Sequence, residues 1–379
     1  MAGNAANMSG GSTLQKARTE ALREAMAREK IDVLVLMGNN WHADYLRYGT
    51  DFGIQEGQGI ALVRADGSTT LLLDDAAECE RARGETAGCD VVHAPRLVQE
   101  TRDRIKRSGN RSLAASPMHL LPFGLLKLEE DDLRIADGAP VIEQLLMTKM
   151  EVELDCIRRA SVLADEGYVI FRDAARPGRK DYELIAEIEG FFRSRGIAEN
   201  FMIIGVGGQE VRGMAPPGGK VLKAGDLVTT ELSPCVDGYY AQLCRTLVVG
   251  EASETQKKAF SVYQEALEEG IKTVRAGVTA ADVARAENDV FRKYDLGKYT
   301  TSEYTRVRGH GMGLFLDQKP QILEDVDIKL IDGMTMIVHP NTYHPDAGYM
   351  VLGDALVVRP DGHECLSTLS RELFSVNAS

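Results

Sequence analysis

The sequence predicts a mixed α/β protein of two domains, and three observations carry that prediction. Residues 13–145 alternate helical and strand signals, as a βαβ-rich domain does. Near residue 145 the texture changes to long, charged helical runs. Beyond residue 200 the chain becomes strand-rich, with a strong hairpin signal at Asp237-Gly238. The expected layout is a disordered tail over 1–12, an α/β domain over 13–145 and an α+β domain over 146–379. A length of 379 residues suits two such domains, each able to bury a core.

Each element has a local reason. The tail is Gly, Ser, Asn and Ala, too little apolar surface to order it. Thr13 to Lys30 sets Leu14, Ala17, Ala21, Leu22, Ala25 and Met26 near a 3.6-residue period, which predicts a helix. Ile31 to Met37, ended by Gly38, is a short apolar and partly β-branched run that reads as a buried strand. Gly59–Arg64 and Ser68–Leu73 flank Asp66-Gly67 as the arms of a hairpin. Weaker strand signals follow at Val91-Val92 and Ser112–Ala115. From Thr148 to Arg195 the pattern is helical, broken at Pro177-Gly178 and restarted at Lys180-Asp181. Two further helices are expected over Glu254–Ala276 and Thr279–Tyr294.

Composition excludes several roles. With 57 acidic against 44 basic residues the net charge is −13, so a nucleic-acid partner is not expected. No apolar run approaches the roughly 18–20 residues of a membrane span. The start lacks a basic stretch followed by an apolar one, so secretion through a signal peptide is not expected. Cys79, Cys89, Cys156, Cys235, Cys244 and Cys365 show no C-x-x-C spacing, which argues for free, mostly packed thiols and a cytoplasmic setting. Gly205 to Gly219 is glycine-rich but lacks the phosphate-loop pattern, and reads as a loop over a pocket.

The stretch Gly225 to Gly250 is the most informative. If Asp237-Gly238 form the hairpin loop, Val236 faces Tyr239, Ser233 faces Gln242 and Glu231 faces Cys244. Opposed residues share a face, and the two-residue period adds Cys235 and Tyr240 to it. Arg245 points to the other face. Glu231 and Gln242 become diagonal neighbours, roughly 7–8 Å apart, unless a β-bulge shifts the register.

Five pieces in order then resemble a known family. They are Ile31–Gly49 with Asn39-Asn40 and Tyr45-Leu46, the run Met147–Ala160, Gly238-Tyr239-Tyr240 with Arg245-Thr246, Gly309-His310-Gly311-Met312-Gly313, and Gly333-Met334. The chain resembles the pita-bread superfamily of creatinase, prolidase, aminopeptidase P and methionine aminopeptidase. The resemblance implies a creatinase-type N-terminal domain, a pita-bread C-terminal domain, a homodimer and a small-molecule substrate.

It also implies where metal would bind. The metallopeptidases of this superfamily hold two ions through two Asp, one His and two Glu. Those positions correspond here to Glu231, Gln242, His310, His339 and Gly353. Two bridging carboxylates are thereby lost, so a two-ion site is not expected. The expectation is accordingly a hydrolase with no cofactor, resembling creatinase and ectoine hydrolase, that cleaves a non-peptide C–N bond of a small nitrogenous compound. Glu231 would act as base or nucleophile, with His310 and His339 as proton shuttles. The first alternative is an Xaa-Pro peptidase-like metallohydrolase with one divalent transition metal at Glu231, His310 and His339. A second alternative is a non-catalytic binding protein.

Further residues are candidates for substrate contact. Gln242 lies beside Glu231, or only bonds Ser233 across the hairpin. Arg212 has the fork that pairs a carboxylate, and Glu210 and Met214 share its loop. Tyr240 lies on the Glu231 face, His344 and Asp346 follow His339, and Trp41 is placed to serve as a lid in a dimer. Cys244 is read as packing rather than as a nucleophile.

Overall fold

The computed structural model describes residues 5–109, 111–126 and 133–376. The chain divides into two compact units, residues 1–146 and 147–379.

The first unit is one sheet with helices. Its elements are α1 (Ala5–Glu29), β1 (Val33–Asn39), α2 (Asp44–Thr50), β2 (Gln58–Arg64), β3 (Thr69–Leu73), α3 (Ala76–Glu85), β4 (Cys89–His93), α4 (Leu97–Ser108), β5 (Ser112–Ser116), α5 (Phe123–Leu126), β6 (Arg134–Asp137) and α6 (Ala139–Met147). The sheet order is β4-β3-β2-β1-β5-β6. β1, β2 and β3 pair antiparallel, and the outer pairings are parallel. Val33, Val35, Met37, Ile60, Leu62 and Leu72 share one core cluster with Leu97 and Ile105 of α4. Alternation at positions 33, 35 and 37 is the two-residue strand period. The expected tail needs correction: α1 is helical from Ala5, so residues 5–12 continue the helix, and residues 1–4 lie outside the described residues.

The second unit opens with α7 (Glu151–Ala174) and α8 (Asp181–Ser194). β7 (Glu199–Gly207), β8 (Leu227–Val236), β9 (Tyr239–Tyr240) and β10 (Leu243–Val249) follow, then α9 (Glu254–Thr273) and α10 (Ala280–Lys293). The rest is β11 (Gly309–Gly311), β12 (Gln318–Gln321), β13 (Thr335–Val338), β14 (Thr342–His344), β15 (Gly348–Met350), β16 (Asp354–Arg359), β17 (Gly362–Cys365) and β18 (Phe374–Val376). One sheet runs β18-β10-β8-β7 with β9 on β8; a second runs β12-β11-β13-β16-β17; β14 and β15 pair alone. Tyr168 and Phe171 of α7 and Ile188 and Phe192 of α8 bury against Val228, Leu232, Leu243 and Leu247 of the first sheet. α9 packs on β13 and β17 of the second.

The β8–β10 register is the one the hairpin signal dictates. Val236 faces Tyr239, Cys235 faces Tyr240 and Glu231 faces Cys244, with no bulge between. The cause is the turn: Asp237 and Gly238 take φ of 49° and 87°, the left-handed pair that matches strand twist. The two sheets are stitched where Cys244 and Gly353 exchange backbone hydrogen bonds of 3.1 and 3.0 Å.

Candidate active site

The site forms at that stitch. β8 supplies Glu231, β10 supplies Cys244, β11 supplies His310, and the residues after β13 supply His339 and Asn341. β11 and β13 pair antiparallel with His310 opposite Ile337, and the His339 N–H donates to the Arg308 carbonyl at 3.0 Å. The pairing brings the two imidazoles together, ring centroids 5.5 Å apart and nearly edge-on. The Asn341 amide donates to Glu231 Oε1 at 3.0 Å and lies 3.6 Å from Cys244 Sγ.

Enclosure sets the charge states. Burial pushes the Glu231 carboxyl up to about 7, opposed by hydrogen bonds from Cys244 and Asn341 and aided by the negative charge of Asp317. Burial, with Glu231 opposite, also holds the Cys244 thiol well above its ordinary range, which agrees with a packing role. His339 is driven well below the usual histidine value by burial first, then by His310 and Arg308. That direction favours the neutral imidazole over the charged one at His339. The His310 Nδ1 lies 3.0 Å from the Gly311 carbonyl oxygen. That oxygen can only accept, so the contact requires a hydrogen on Nδ1 and leaves Nε2 as the ring nitrogen not used by it. Asp317 approaches the same ring, Oδ1 to Nδ1 at 3.8 Å.

Gly353 is fixed by close approach. A Cβ there would sit 2.6 Å from His339 Cβ, 2.9 Å from the Val338 oxygen and 3.3 Å from Cys244 Cβ. Any side chain at 353 would therefore require the backbone at 339 or 353 to shift from its position here. The neighbouring Asp354 does not substitute, because its carboxylate is held by Arg245 at 2.7 Å and Arg371 at 2.5 Å. Arg245 points away from Glu231 as the strand period requires, and is fully buried against Asp354.

The other expected contacts divide. Gln242 is buried beside the site, but its amide nitrogen approaches Cys244 Sγ at 3.9 Å, not Ser233. Among the described residues, Gln242 Oε1 and His339 Nδ1 are buried without a hydrogen-bond partner. The Tyr240 hydroxyl is taken by Glu199 at 2.7 Å, at the far end of the hairpin. Glu210 is engaged by the Gly208 N–H at 3.2 Å and by Lys220 at 3.4 Å, so it is not free for substrate. Arg212 lies over the rings of Tyr343 and Tyr304, and Met214 sits partly buried in the same loop. His344 is buried in β14 and accepts the Asp346 N–H at 3.2 Å, while Asp346 itself is exposed. Trp41 belongs to the first unit, where it is 83% exposed. Sequence reasoning missed Asn341 and Asp317. Asn341 could have been found, because it stands two residues after His339 with the amide that orients a carboxylate. Asp317 carries no comparable signal.

Comparison with known proteins places the chain. The model of metallopeptidase family M24 matches residues 155–360, and that of the creatinase/prolidase N-terminal domain matches residues 18–147. The uncharacterized peptidase YqhT of Bacillus subtilis (strain 168) is 24% identical over 364 residues, 94% of this chain and 99% of that protein. The Xaa-Pro dipeptidase of Pyrococcus horikoshii is 26% identical over 260 residues, 67% of this chain and 73% of that protein. The crystal structure of the X-Pro aminopeptidase from Thermotoga maritima superposes with a TM-score of 0.85 at 22% identity, covering 94% of this chain and 99% of that one.

These matches overturn two expectations. A metal-independent hydrolase of a non-peptide bond, with no cofactor, does not agree with a metallopeptidase family whose relatives are named Xaa-Pro dipeptidases. The peptidase-like alternative is the one they favour. The residues present nevertheless do not fit a pair of ions, since Gln242 is neutral and Gly353 has no ligand atom. Glu231, His310 and His339 fit a single ion by donor chemistry: one carboxylate, one imidazole with a free Nε2 and one neutral imidazole with an unpartnered Nδ1. Among the described residues no three such side chains are already gathered round one point. The matches to both halves of the chain show that it is a member of metallopeptidase family M24 with a creatinase/prolidase N-terminal domain, in the pita-bread superfamily.

Proposed function

We propose that the chain hydrolyses the peptide C–N bond of a small Xaa-Pro-type peptide, at a site whose ion complement is reduced from a pair to one. The observation that carries the reading is Glu231, a carboxyl held by Asn341 with its pKa raised by burial to about 7. Burial makes this carboxyl a stronger base than an ordinary glutamate in the ion-free chain, and an ion held beside it would lower it again. Glu231 accepts a proton from the attacking water as its oxygen bonds to the carbonyl carbon. The same carboxyl then delivers the proton to the leaving nitrogen as the C–N bond breaks. Asn341 aims the carboxylate, and Gln242 Oε1 offers a buried acceptor to the bound substrate. Glu231, His310 and His339 would hold the single ion, which supplies Lewis acidity to the scissile carbonyl when bound.

The names of the relatives support the substrate class, and six free cysteines support a reducing compartment. The likeness to prolidase-type chains supports a homodimer, which sedimentation would read. The decisive assay is hydrolysis of Ala-Pro by the purified protein. Glu231→Gln should lower kcat by about 10²–10⁴-fold without lowering the melting temperature. A variant as active as the parent would contradict the proposal.

A further inference from the structure

Two fully buried ionisable side chains stand next to the imidazole pair without contributing a donor to it. Glu287 lies on α10 and Arg308 immediately precedes β11, and both are 0% exposed. Among the described residues, Glu287 Oε1 and Oε2 and Arg308 Nε and Nη1 are buried with no hydrogen-bond partner. The two groups are nonetheless neighbours. The Arg308 guanidinium carbon lies 5.7 Å from the ring centroid of Phe291, one turn beyond Glu287 on the same face of α10. Each also acts on the other's charge: burial drives the Glu287 carboxyl well above its ordinary range, and Arg308 opposes that.

Neither side chain is free to swing to the other. α9 presses Gly270 onto Glu287, where a Cβ would come within 2.7 Å of Cγ, 3.0 Å of Cδ and 3.1 Å of Oε1. Arg308 Nη2 donates to the Thr305 carbonyl. The Arg308 main chain is held on both sides, its N–H donating to the Ile322 carbonyl at 2.9 Å and its carbonyl accepting the His339 N–H at 3.0 Å. Two residues on, His310 pairs with Ile337 of β13. The backbone of both imidazoles is thereby fixed to the residue whose guanidinium faces Glu287.

Polar atoms buried bare are costly, and charged ones more so. A polar gap too long for a direct bond is spanned by water. Water suits both ends here, because it accepts from the guanidinium and donates to the carboxyl. A halide only accepts and would leave the carboxyl bare, and a metal ion would be repelled by the guanidinium.

We propose that bound water joins Glu287 to Arg308 in the interior, and that the bridged pair positions both imidazoles of the candidate ion site. The water site stands by itself; the positioning role rests on the single-ion reading.

A crystal structure of the ion-free full chain, at a resolution that shows ordered water, tests the first part. The expected result is a water roughly 2.7–3.2 Å from a Glu287 oxygen and from Arg308 Nε or Nη1. A direct carboxylate–guanidinium pair, a halide in that place, or no density between the groups would overturn it. Equilibrium dialysis against Co²⁺, well below each variant's melting temperature, tests the second part together with the Co²⁺ absorption spectrum. Glu287→Gln should weaken Co²⁺ binding by about 10- to 100-fold and shift the spectrum, as changes behind a metal ligand do. If that variant does not fold, Glu287→Leu with Arg308→Met, which removes both buried groups together, takes its place with the same expectation. Parent-like affinity and spectrum would overturn the positioning role. If the parent itself binds no Co²⁺, the single-ion reading fails, and the ring ¹H–¹⁵N signals of His310 and His339 in the ion-free protein decide. Signals shifted by Glu287→Gln sustain the positioning role; unchanged signals overturn it.

Discussion

The Asn341 amide donates to Glu231 Oε1 at 3.0 Å while its own oxygen accepts the Leu352 N–H at 3.1 Å. One side chain thereby ties the candidate base on β8 to the segment that leads into β16. Removing it should act on both ends. Asn341→Ala leaves the Leu352 N–H buried without its acceptor, which costs about 1–3 kcal/mol of stability. It also frees the Glu231 carboxylate to rotate, and kcat should fall by about tenfold or more. Urea unfolding and steady-state kinetics read the two effects; a variant with unchanged stability and turnover would remove Asn341 from the account.

Gly353 and His339 are coupled by sterics. Gly353→Ala places a methyl 2.6 Å from His339 Cβ, so backbone or side chain must shift at a cost of about 1–3 kcal/mol. The same substitution in a His339→Gly background should cost distinctly less, although the Val338 oxygen at 2.9 Å keeps part of the penalty. Strictly additive losses in denaturant unfolding would show that the two positions do not exclude each other.

Glu364 gives a stability prediction with a defined pH window. Hydrogen bonds from Arg158 first, then Arg359, hold its carboxyl down to about 2 against an ordinary value of 4.5. A depressed acid stabilises the fold above its unfolded pKa and loses that contribution as pH falls through the folded one. The side chain is 32% exposed, so solvent screening reduces the effect to about 1 kcal/mol. Glu364→Gln should therefore be less stable than the parent at pH 7 by about 1 kcal/mol, with the difference closing between pH 4.5 and 2. A gap independent of pH would assign the loss to packing instead.

Much of this was legible in the residues themselves. The Asp237-Gly238 turn set the β8–β10 register, and with it the pairing of Glu231 with Cys244 and the turn of Arg245 to the opposite face of the sheet. The helices of the second unit followed from apolar periodicity and from the Pro177-Gly178 break. What could not be read were relationships across long sequence separations. Asn341 reaches Glu231 over 110 positions, and Arg245 finds Asp354 over 109. Local periodicity carries no information about such pairs. The enclosure of His339 was not legible either: burial first, then His310 and Arg308, disfavour its charged form. Arg212 was visible as a fork for a carboxylate, but the tyrosines beneath it come from residues 304 and 343, far along the chain from the β7–β8 loop.

The reduction of the ion site from two to one is tested most directly by equilibrium dialysis of the chelator-stripped protein against Mn²⁺ or Co²⁺, with bound metal counted per chain and Ala-Pro turnover followed in parallel. The account predicts saturation at one ion per chain, turnover that rises with that ion, and loss of both in His339→Ala. Two ions per chain, or full turnover with none, would contradict it.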